Sequence, residues 1–203
     1  MTGPTGDGTP ALVLASASPR RAQLLEMLGL SFRVRPANID ENLRTGETPA
    51  GHAERLSIEK ARAIAAVEPG SLVIGSDTVV VVEGVILGKP ADAAEAVAML
   101  LRLQGREHTV ATGIAVARGG SCWSGVEQVS VRFRVFDEET ARGYVETGEP
   151  MDKAGAYGIQ GFGATLVAGI TGDFFAVMGL PVARLVTLLE AAGYRYAFAR
   201  EPR

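Results

Sequence analysis

Residues 12–28 (LVLASASPRRAQLLEML) constrain the fold most, because a short apolar run breaks into small residues and restarts as a helical pattern. Ser18 suits an N-cap, and Pro19 suits the first helical position, where its missing N–H would have no partner anyway. Leucine and methionine side chains then recur at three-to-four-residue spacing, which is typical of a helix lying on a sheet. We therefore predict a strand, a tight turn and a helix that begins at Pro19.

Arg20 and Arg21 fall in the first turn of this helix. Two cations are unusual there, because the helix dipole already places partial positive charge and unpaired N–H groups at that end. A bound anion would relieve the repulsion, so the pattern predicts an oxyanion or phosphate site. The alternative is that both arginines reach into solvent or pair with acidic neighbours. The start of the helix alone does not separate the two.

The segments that follow alternate between strand and helix patterns. Thr48-Pro49 predicts the start of a long helix, and Asp92 and Asp137 predict the N-caps of two more. Asp92 also forms a predicted capping box with Glu95. The predicted strands are residues 32–36, 109–117 and 165–170, and the predicted helices are residues 49–67, 93–103, 138–147 and a last helix that Pro181 opens.

Two hairpin patterns exclude a purely parallel sheet. Residues 71–87 carry β-branched runs separated by Ser76 and Asp77, and the chain turns back at Glu83-Gly84. Another strand returns after Gly119-Gly120, and its alternation predicts one buried face. That face comprises Val129, Val131, Phe133 and Val135. We predict an α/β fold with a mixed parallel and antiparallel twisted sheet and flanking helices.

Three segments lack a regular pattern. Residues 37–47 form a predicted polar loop that carries Asp40 and Glu41. Residues 148–164 are rich in glycine and too long for a plain turn, so we interpret them as a functional loop. Residues 172–180 form a second predicted loop. Residues 1–10 are a predicted flexible leader, and residues 11–195 are a predicted single domain. Residues 196–203 are a predicted exposed tail, and the loss of a regular pattern begins at Tyr194.

Composition excludes several classes of protein. The 203 residues are 47% hydrophobic, enough for one globular unit or two closely packed lobes. The net charge of -3 gives no footprint for nucleic acid. One cysteine and two histidines rule out a disulfide framework or a histidine-rich metal centre, and we interpret His52 and His108 as structural. Neither a signal peptide nor a membrane-spanning stretch is present, so we expect a cytoplasmic protein without a membrane partner.

Four polar clusters stand out, with Lys60 as a fifth candidate. They supply cations for a polyphosphate, carboxylates for Mg²⁺ and a candidate general base, which is the combination that phosphoryl chemistry needs. The chain has neither a Walker A run nor a GxGxxG fingerprint after a strand, so P-loop and Rossmann interpretations fail. The clusters are residues 16–21 (SASPRR), Asp40-Glu41, residues 75–78 (GSDT) and Lys89.

Each candidate also has a structural explanation. Asp77 is costly among β-branched residues unless it is paired, bound to metal or exposed at a cleft, but it could instead cap a turn. Lys60 could lie on a solvated helix face, and Lys89 could be a surface lysine at a strand end. Tyr157 could stack on a base or pack its own loop.

Six motifs, in chain order, resemble the Maf family of nucleoside triphosphate pyrophosphatases over about residues 11–192. The resemblance implies a mixed α/β fold, similar to that of the ITPases, with two lobes around a deep cleft. It also implies hydrolysis between the α and β phosphates with a divalent metal (Mg²⁺ or Mn²⁺), and a homodimer. The motifs are SASPRR (16–21), LSIEKA (56–61), GSDTVV (75–80), GKP (88–90), EPMDKAGAYGIQG (149–161) and GDFFAVMGLP (172–181).

The resemblance assigns roles to individual residues. It makes Asp77 the proton acceptor that activates water, and Glu41 a metal ligand together with Asp77. Lys60 and Lys89 match the lysines that neutralise phosphate. The implied substrate-binding residues are Ser16, Ser18, Arg20, Arg21, Thr78 and Gln160, of which Arg20, Thr78 and Gln160 match positions linked to substrate choice.

The GSDT and AYGIQG forms are similar to the branch that acts on dTTP and UTP. The amide of Gln160 can match O4 and N3–H of a pyrimidine together. Ala176 departs from that branch, which commonly has a polar residue there. The main hypothesis is therefore a pyrophosphatase for dTTP, UTP and modified pyrimidine nucleotides.

Two other hypotheses stay open. A nucleotide-binding regulator of septum formation or cell division would bind in the same cleft without efficient hydrolysis. The complete set of carboxylates and lysines favours the enzyme, because binding alone needs no base. A purine-directed enzyme for inosine or xanthosine triphosphate is disfavoured by the GIQG loop.

Overall fold

The computed structural model describes residues 10–198 and centres on one seven-stranded mixed sheet. The sheet order is β2-β1-β3-β5-β6-β7, and β4 pairs with β3. Strands β1, β2 and β3 run parallel, whereas β3–β5, β5–β6, β6–β7 and β3–β4 are antiparallel. The strands are β1 (Leu12–Leu14), β2 (Phe32–Val34), β3 (Leu72–Val82), β4 (Val85–Leu87), β5 (Glu107–Arg118), β6 (Ser121–Phe133) and β7 (Val167–Thr171).

Six α-helices flank this sheet within residues 10–198. The predicted mixed α/β architecture is therefore confirmed. Three short 3₁₀ turns fill most of the glycine-rich loop, at Glu149–Asp152, Ala154–Ala156 and Gly161–Leu166. The helices are α1 (Pro19–Met27), α2 (Pro49–Ala65), α3 (Ala93–Leu103), α4 (Glu138–Glu146), α5 (Phe174–Met178) and α6 (Val182–Ala191).

The predicted helix starts are correct. Helix α1 begins at Pro19, although the Ser18 side chain makes no capping hydrogen bond. Asp92 and Asp137 cap α3 and α4 by accepting from the backbone N–H groups of Glu95 and Thr140. Short polar side chains satisfy free N–H groups at a helix start, which explains why these boundaries are visible in the sequence.

Several predicted boundaries and segments differ from the structure. Strand β6 ends at Phe133, so Val135 lies outside the sheet and is 77% exposed. Residues 165 and 166 belong to a 3₁₀ turn, and β7 begins at Val167. The predicted second loop contains helix α5, capped by Asp173. The predicted tail begins half-buried, because the Tyr196 hydroxyl donates to the Leu28 carbonyl at 3.0 Å.

Two apolar clusters form most of the core. One packs α3 and α4 against the sheet around Leu100 and Phe133. The other packs α1 and α6 around Leu14 and Leu185. Residues from both clusters line a cavity of about 1230 Å³, in keeping with the predicted deep cleft. Within residues 10–198, no helix is both long and apolar enough to span a membrane. Residues 1–9 and 199–203 of the predicted leader and tail lie outside the described residues.

Candidate active site

All ten predicted site residues line the cavity. They come from the turn and helix after β1, the loop before α2, helix α2, strand β3, the residues after β4 and the glycine-rich loop. Residues distant in sequence therefore meet in one place, as the motifs predict. The ten are Ser16, Ser18, Arg20, Arg21, Glu41, Lys60, Asp77, Thr78, Lys89 and Gln160.

The Lys60 ammonium group bridges two carboxylates. Its Nζ lies 2.6 Å from Asp77 Oδ1 and 2.8 Å from Glu41 Oε1. Lys60 is only 7% exposed and Asp77 only 8%, so the lysine does not lie on a solvated helix face and the aspartate does not cap a turn. Asp77 instead stands inside β3. Burying one cation against two carboxylates leaves a local excess of negative charge, which suits a further cation.

Glu41 remains ionised at this position. Partial burial raises the pKa of Glu41, but the hydrogen bond from Lys60 and the charges of Lys60, Lys89 and Arg21 outweigh it and leave the pKa below its ordinary value. Lys89 is exposed on the cavity wall after β4, and it has no ion-pair partner within 4 Å among residues 10–198. Lys89 is therefore free to contact an anionic ligand.

Arg21 is a partly buried cation held by three oxygen atoms. Its guanidinium donates to the Gly179 carbonyl at 2.8 Å, to Ser16 Oγ at 3.0 Å and to Thr78 Oγ1 at 3.2 Å. Burial is the main cause that lowers the pKa of Arg21 from its ordinary value. The charge of Arg20 also lowers it, whereas the charges of Asp77 and Glu41 act in the opposite direction. These three acceptors fix the direction of the guanidinium and leave its positive charge facing the cavity without a carboxylate directly on it.

Arg20 behaves differently from Arg21. Its guanidinium forms an ion pair with Asp152 of the glycine-rich loop at 3.1 Å, and both side chains are partly exposed. Arg20 thus follows the alternative interpretation, pairing with an acidic neighbour. Because exposed ion pairs are weak, a ligand phosphate can compete with Asp152 for Arg20.

The Thr78 side chain is held by neighbouring groups, whereas Ser18 is held by its backbone. The Thr78 hydroxyl lies between Arg21 and the buried Thr112 hydroxyl, which is 3.0 Å away. The Ser18 backbone N–H donates to Ser16 Oγ at 3.2 Å. Gln160, by contrast, is exposed at the cavity wall.

Sequence reasoning missed three charged residues that line the cavity: Glu149, Asp152 and Lys153. All three belong to residues 149–153 (EPMDK), at the start of the glycine-rich loop. The sequence feature that could have identified them is a group of charged residues inside a long loop. The Tyr157 side chain is buried and packs its loop against the sheet, where its hydroxyl lies 2.7 Å from His108 Nε2 and its ring contacts Phe133. His52 contacts Glu47 at 3.0 Å, so both histidines have internal partners.

The donor set fits a metal that the substrate helps to bind. Among residues 10–198, no cluster of three or more histidine, cysteine, aspartate or glutamate side chains is arranged to enclose a metal ion. Mg²⁺, however, is commonly held by one or two carboxylates together with phosphate oxygens. Glu41 and Asp77 supply two carboxylates on one ammonium group, which meets that requirement.

Comparison with known proteins identifies the family of the chain. The family model described as Maf-like protein matches residues 11–192, which is most of the chain. The chain belongs to the Maf family. The match includes every residue of the candidate site.

Two similar relatives of this Maf protein cover nearly the same length. A dTTP/UTP pyrophosphatase from Symbiobacterium thermophilum is 51% identical over 90% of this chain and 94% of the relative. A dTTP/UTP pyrophosphatase from Moorella thermoacetica is 52% identical over 90% and 95%. This Maf chain is also similar to the solved structure of a HAM1 protein from Coxiella burnetii, at 19% identity and a TM-score of 0.46 over 95% of this chain and 88% of that protein.

Proposed function

We propose that this Maf protein is a nucleoside triphosphate pyrophosphatase that hydrolyses dTTP and UTP to the nucleoside monophosphate and pyrophosphate. The observation that carries the proposal is the convergence of buried Asp77 and Lys60 with Glu41 and Arg21 on one cavity large enough for a nucleotide. The names of the relatives support the substrate class, since both are called dTTP/UTP pyrophosphatase.

The proposed chemistry is a water attack on the anhydride between the α and β phosphates. Asp77 accepts a proton from the water while the water oxygen bonds to phosphorus. The bridging P–O bond breaks, and pyrophosphate leaves. Bound Mg²⁺ or Mn²⁺, held by Glu41 and Asp77, would neutralise phosphate charge. Lys60, Lys89 and Arg20 supply further positive charge, and this matters because phosphoryl transfer is accelerated mainly by positioning and charge neutralisation.

The proposed base contact is made by Gln160. Its amide donates and accepts together, which matches O4 and N3–H of uracil or thymine. Ser16 and Thr78 contribute by orienting Arg21 toward the phosphates. Modified pyrimidine nucleotides would be accepted where the modification leaves this edge intact. The cytoplasmic location, the homodimer and the lack of a nucleic-acid partner stay predictions.

The direct test measures pyrophosphate release with Mg²⁺ or Mn²⁺ from dTTP, UTP, CTP, GTP, 7-methyl-GTP, ITP and pseudouridine triphosphate. We expect fast release from dTTP and UTP with monophosphate as the other product. Release only from purine nucleotides would discard the proposed base contact. Tight binding without release would favour the nucleotide-binding regulator.

Asp77→Asn tests the proposed base. Asparagine has nearly the same shape but cannot take up the proton, so we expect turnover to fall by about 10²–10⁴-fold with the fold intact. Asp40→Asn is the matched control, because Asp40 is exposed and does not line the cavity. A folded Asp77→Asn variant with full turnover would disprove the assignment.

A further inference from the structure

Glu149 is the centre of the hydrogen bonds that shape the glycine-rich loop. Its Oε1 accepts from the Tyr144 hydroxyl at 2.8 Å and from Gly163 N–H at 3.0 Å. Its Oε2 accepts from Phe162 N–H at 2.9 Å. Both carboxylate oxygens are therefore used to hold residues 162 and 163 against the end of α4.

The backbone wraps closely around this carboxylate. Gly161 has a φ of +66°, and a Cβ atom there would lie 2.4 Å from Glu149 Oε2. A Cβ atom on Gly163 would lie 2.5 Å from the Tyr144 hydroxyl oxygen. That hydroxyl also accepts from Gly158 N–H at 3.1 Å. Residues 158–163 thus form a turn in which only glycine fits at positions 161 and 163, against Glu149 and Tyr144.

Gln160 lies within this turn and depends on it. The Gln160 side chain makes no hydrogen bond to another residue within 10–198, so nothing else on this part of the chain fixes its direction. Its two neighbours are Ile159, which is buried, and Gly161, which packs on Glu149. The backbone on either side of Gln160 therefore determines where its side chain leaves the loop and which part of the cavity its amide can reach.

The ionised form of Glu149 suits this role. Burial raises the pKa of Glu149, but the N–H groups of Gly163 and Phe162, the Tyr144 hydroxyl and the Lys153 charge together leave it below its ordinary value. A carboxylate offers acceptors on both oxygens, whereas an amide offers one acceptor and turns an NH₂ group toward a donor. No other side chain of this size would satisfy all three donors.

We propose that Glu149 is a positioning residue for base recognition, acting through Gln160 and making no contact with the phosphates. The inference rests on the proposed function, in which Gln160 binds the pyrimidine. In this proposal the Glu149 carboxylate organises the part of the cavity that binds the base, whereas Lys60, Lys89 and Arg21 bind the phosphates.

The test compares a ligand that has a base with one that lacks it. In Glu149→Gln, we expect the KM for UTP to rise about tenfold, the loss of roughly one hydrogen bond, with kcat within about twofold. The inhibition constant of inorganic tripolyphosphate should not rise, because Glu149→Gln removes no group that binds phosphate. Glu146→Gln is the matched control, because Glu146 is exposed near the end of α4 and outside the cavity lining.

A double-mutant cycle shows whether Glu149 acts through Gln160. Gln160→Ala should raise the KM for UTP, and adding Glu149→Gln to that variant should change it no further. An undiminished effect in the Gln160→Ala background, or an equal rise in the tripolyphosphate inhibition constant, would overturn the inference. Tyr144→Phe should act in the same direction with a smaller effect, and it keeps the test valid if Glu149→Gln folds poorly.

Calorimetry separates this inference from the proposed function. A UTP analogue with a methylene group between the α and β phosphorus atoms binds without being hydrolysed, so its Kd can be measured in the same variants. A wild-type protein that binds the analogue but hydrolyses no nucleotide would refute the proposed function alone. Unchanged analogue affinity in Glu149→Gln, or no binding by the wild type, would refute the positioning role.

Discussion

His108 is a buried histidine whose environment opposes protonation. Its Nε2 contacts the Tyr157 hydroxyl, Nδ1 has no hydrogen-bond partner among residues 10–198, and the Phe133 ring packs against it. Burial lowers the pKa of His108 from 6.5 to about 4. The folded protein therefore holds a neutral ring that becomes charged in the unfolded chain below pH 6.5.

The protein should become less stable as the pH falls below 6.5. Between pH 6.5 and 4 the unfolded chain binds the extra proton, so His108 lowers the free energy of unfolding progressively as the pH falls. The loss should reach about 2 kcal/mol at pH 5 relative to pH 7. Urea unfolding of the wild type and His108→Gln at both pH values measures it. The variant should lose this part of the pH dependence, and parallel curves would contradict the assigned pKa.

Individual residues also show the limits of sequence reasoning. A lysine in the middle of a helix is usually solvated, so only its motif identified Lys60, and the structure then showed it buried against Asp77. Arg21 likewise could not be distinguished from Arg20 by position. The difference arises because Gly179, which is distant in sequence, supplies an acceptor for Arg21 alone.

At the scale of elements, helix α2 reaches Asp77 because glycine residues let it approach the sheet. A Cβ atom on Gly75 would lie 2.2 Å from the Ser57 carbonyl oxygen, and one on Gly113 would lie 2.2 Å from the Ala53 carbonyl oxygen. Gly113 is also the register partner of Asp77 between β3 and β5. The short distance between Lys60 and Asp77 thus depends on these two positions.

Gly113→Ala should push α2 away from the sheet. The obstructing atoms are backbone, so we expect a loss of about 3 kcal/mol in the free energy of unfolding together with reduced turnover. Gly143→Ala is the opposite control, since Gly143 lies inside α4 with nothing within 4 Å of a new Cβ atom. It should gain about 1 kcal/mol. Urea unfolding and pyrophosphate release check both; equal effects would disprove the close-packing argument.

Elements with local signals were predictable, and those set by tertiary contacts were not. Asp92 and Asp137 correctly predicted the starts of α3 and α4, because N-capping is a local interaction. The end of β6 at Phe133 was not visible, because the alternation continues in sequence to Val135 after the sheet has ended. The 3₁₀ turns of the glycine-rich loop depend on Glu149, whose backbone partners lie 13 and 14 residues away.

At the scale of the whole molecule, the Arg20–Asp152 ion pair joins opposite sides of the cavity. Arg20 belongs to α1, which packs in the cluster around Leu14, whereas Asp152 follows α4, which packs in the cluster around Leu100. Asp152 also contacts Lys153 at 2.6 Å. One exposed carboxylate therefore pairs with two cations at the cavity wall.

Removing that carboxylate should strengthen nucleotide binding. In Asp152→Asn, Arg20 and Lys153 keep their charge while an anion leaves the cavity wall, so we expect the KM for UTP to fall about threefold at low ionic strength. High salt should remove the difference, because the groups are exposed and screened. Glu139→Gln changes the net charge equally on an exposed position of α4 and should have no effect. A raised KM in Asp152→Asn would show instead that the ion pair orients Arg20 for the substrate.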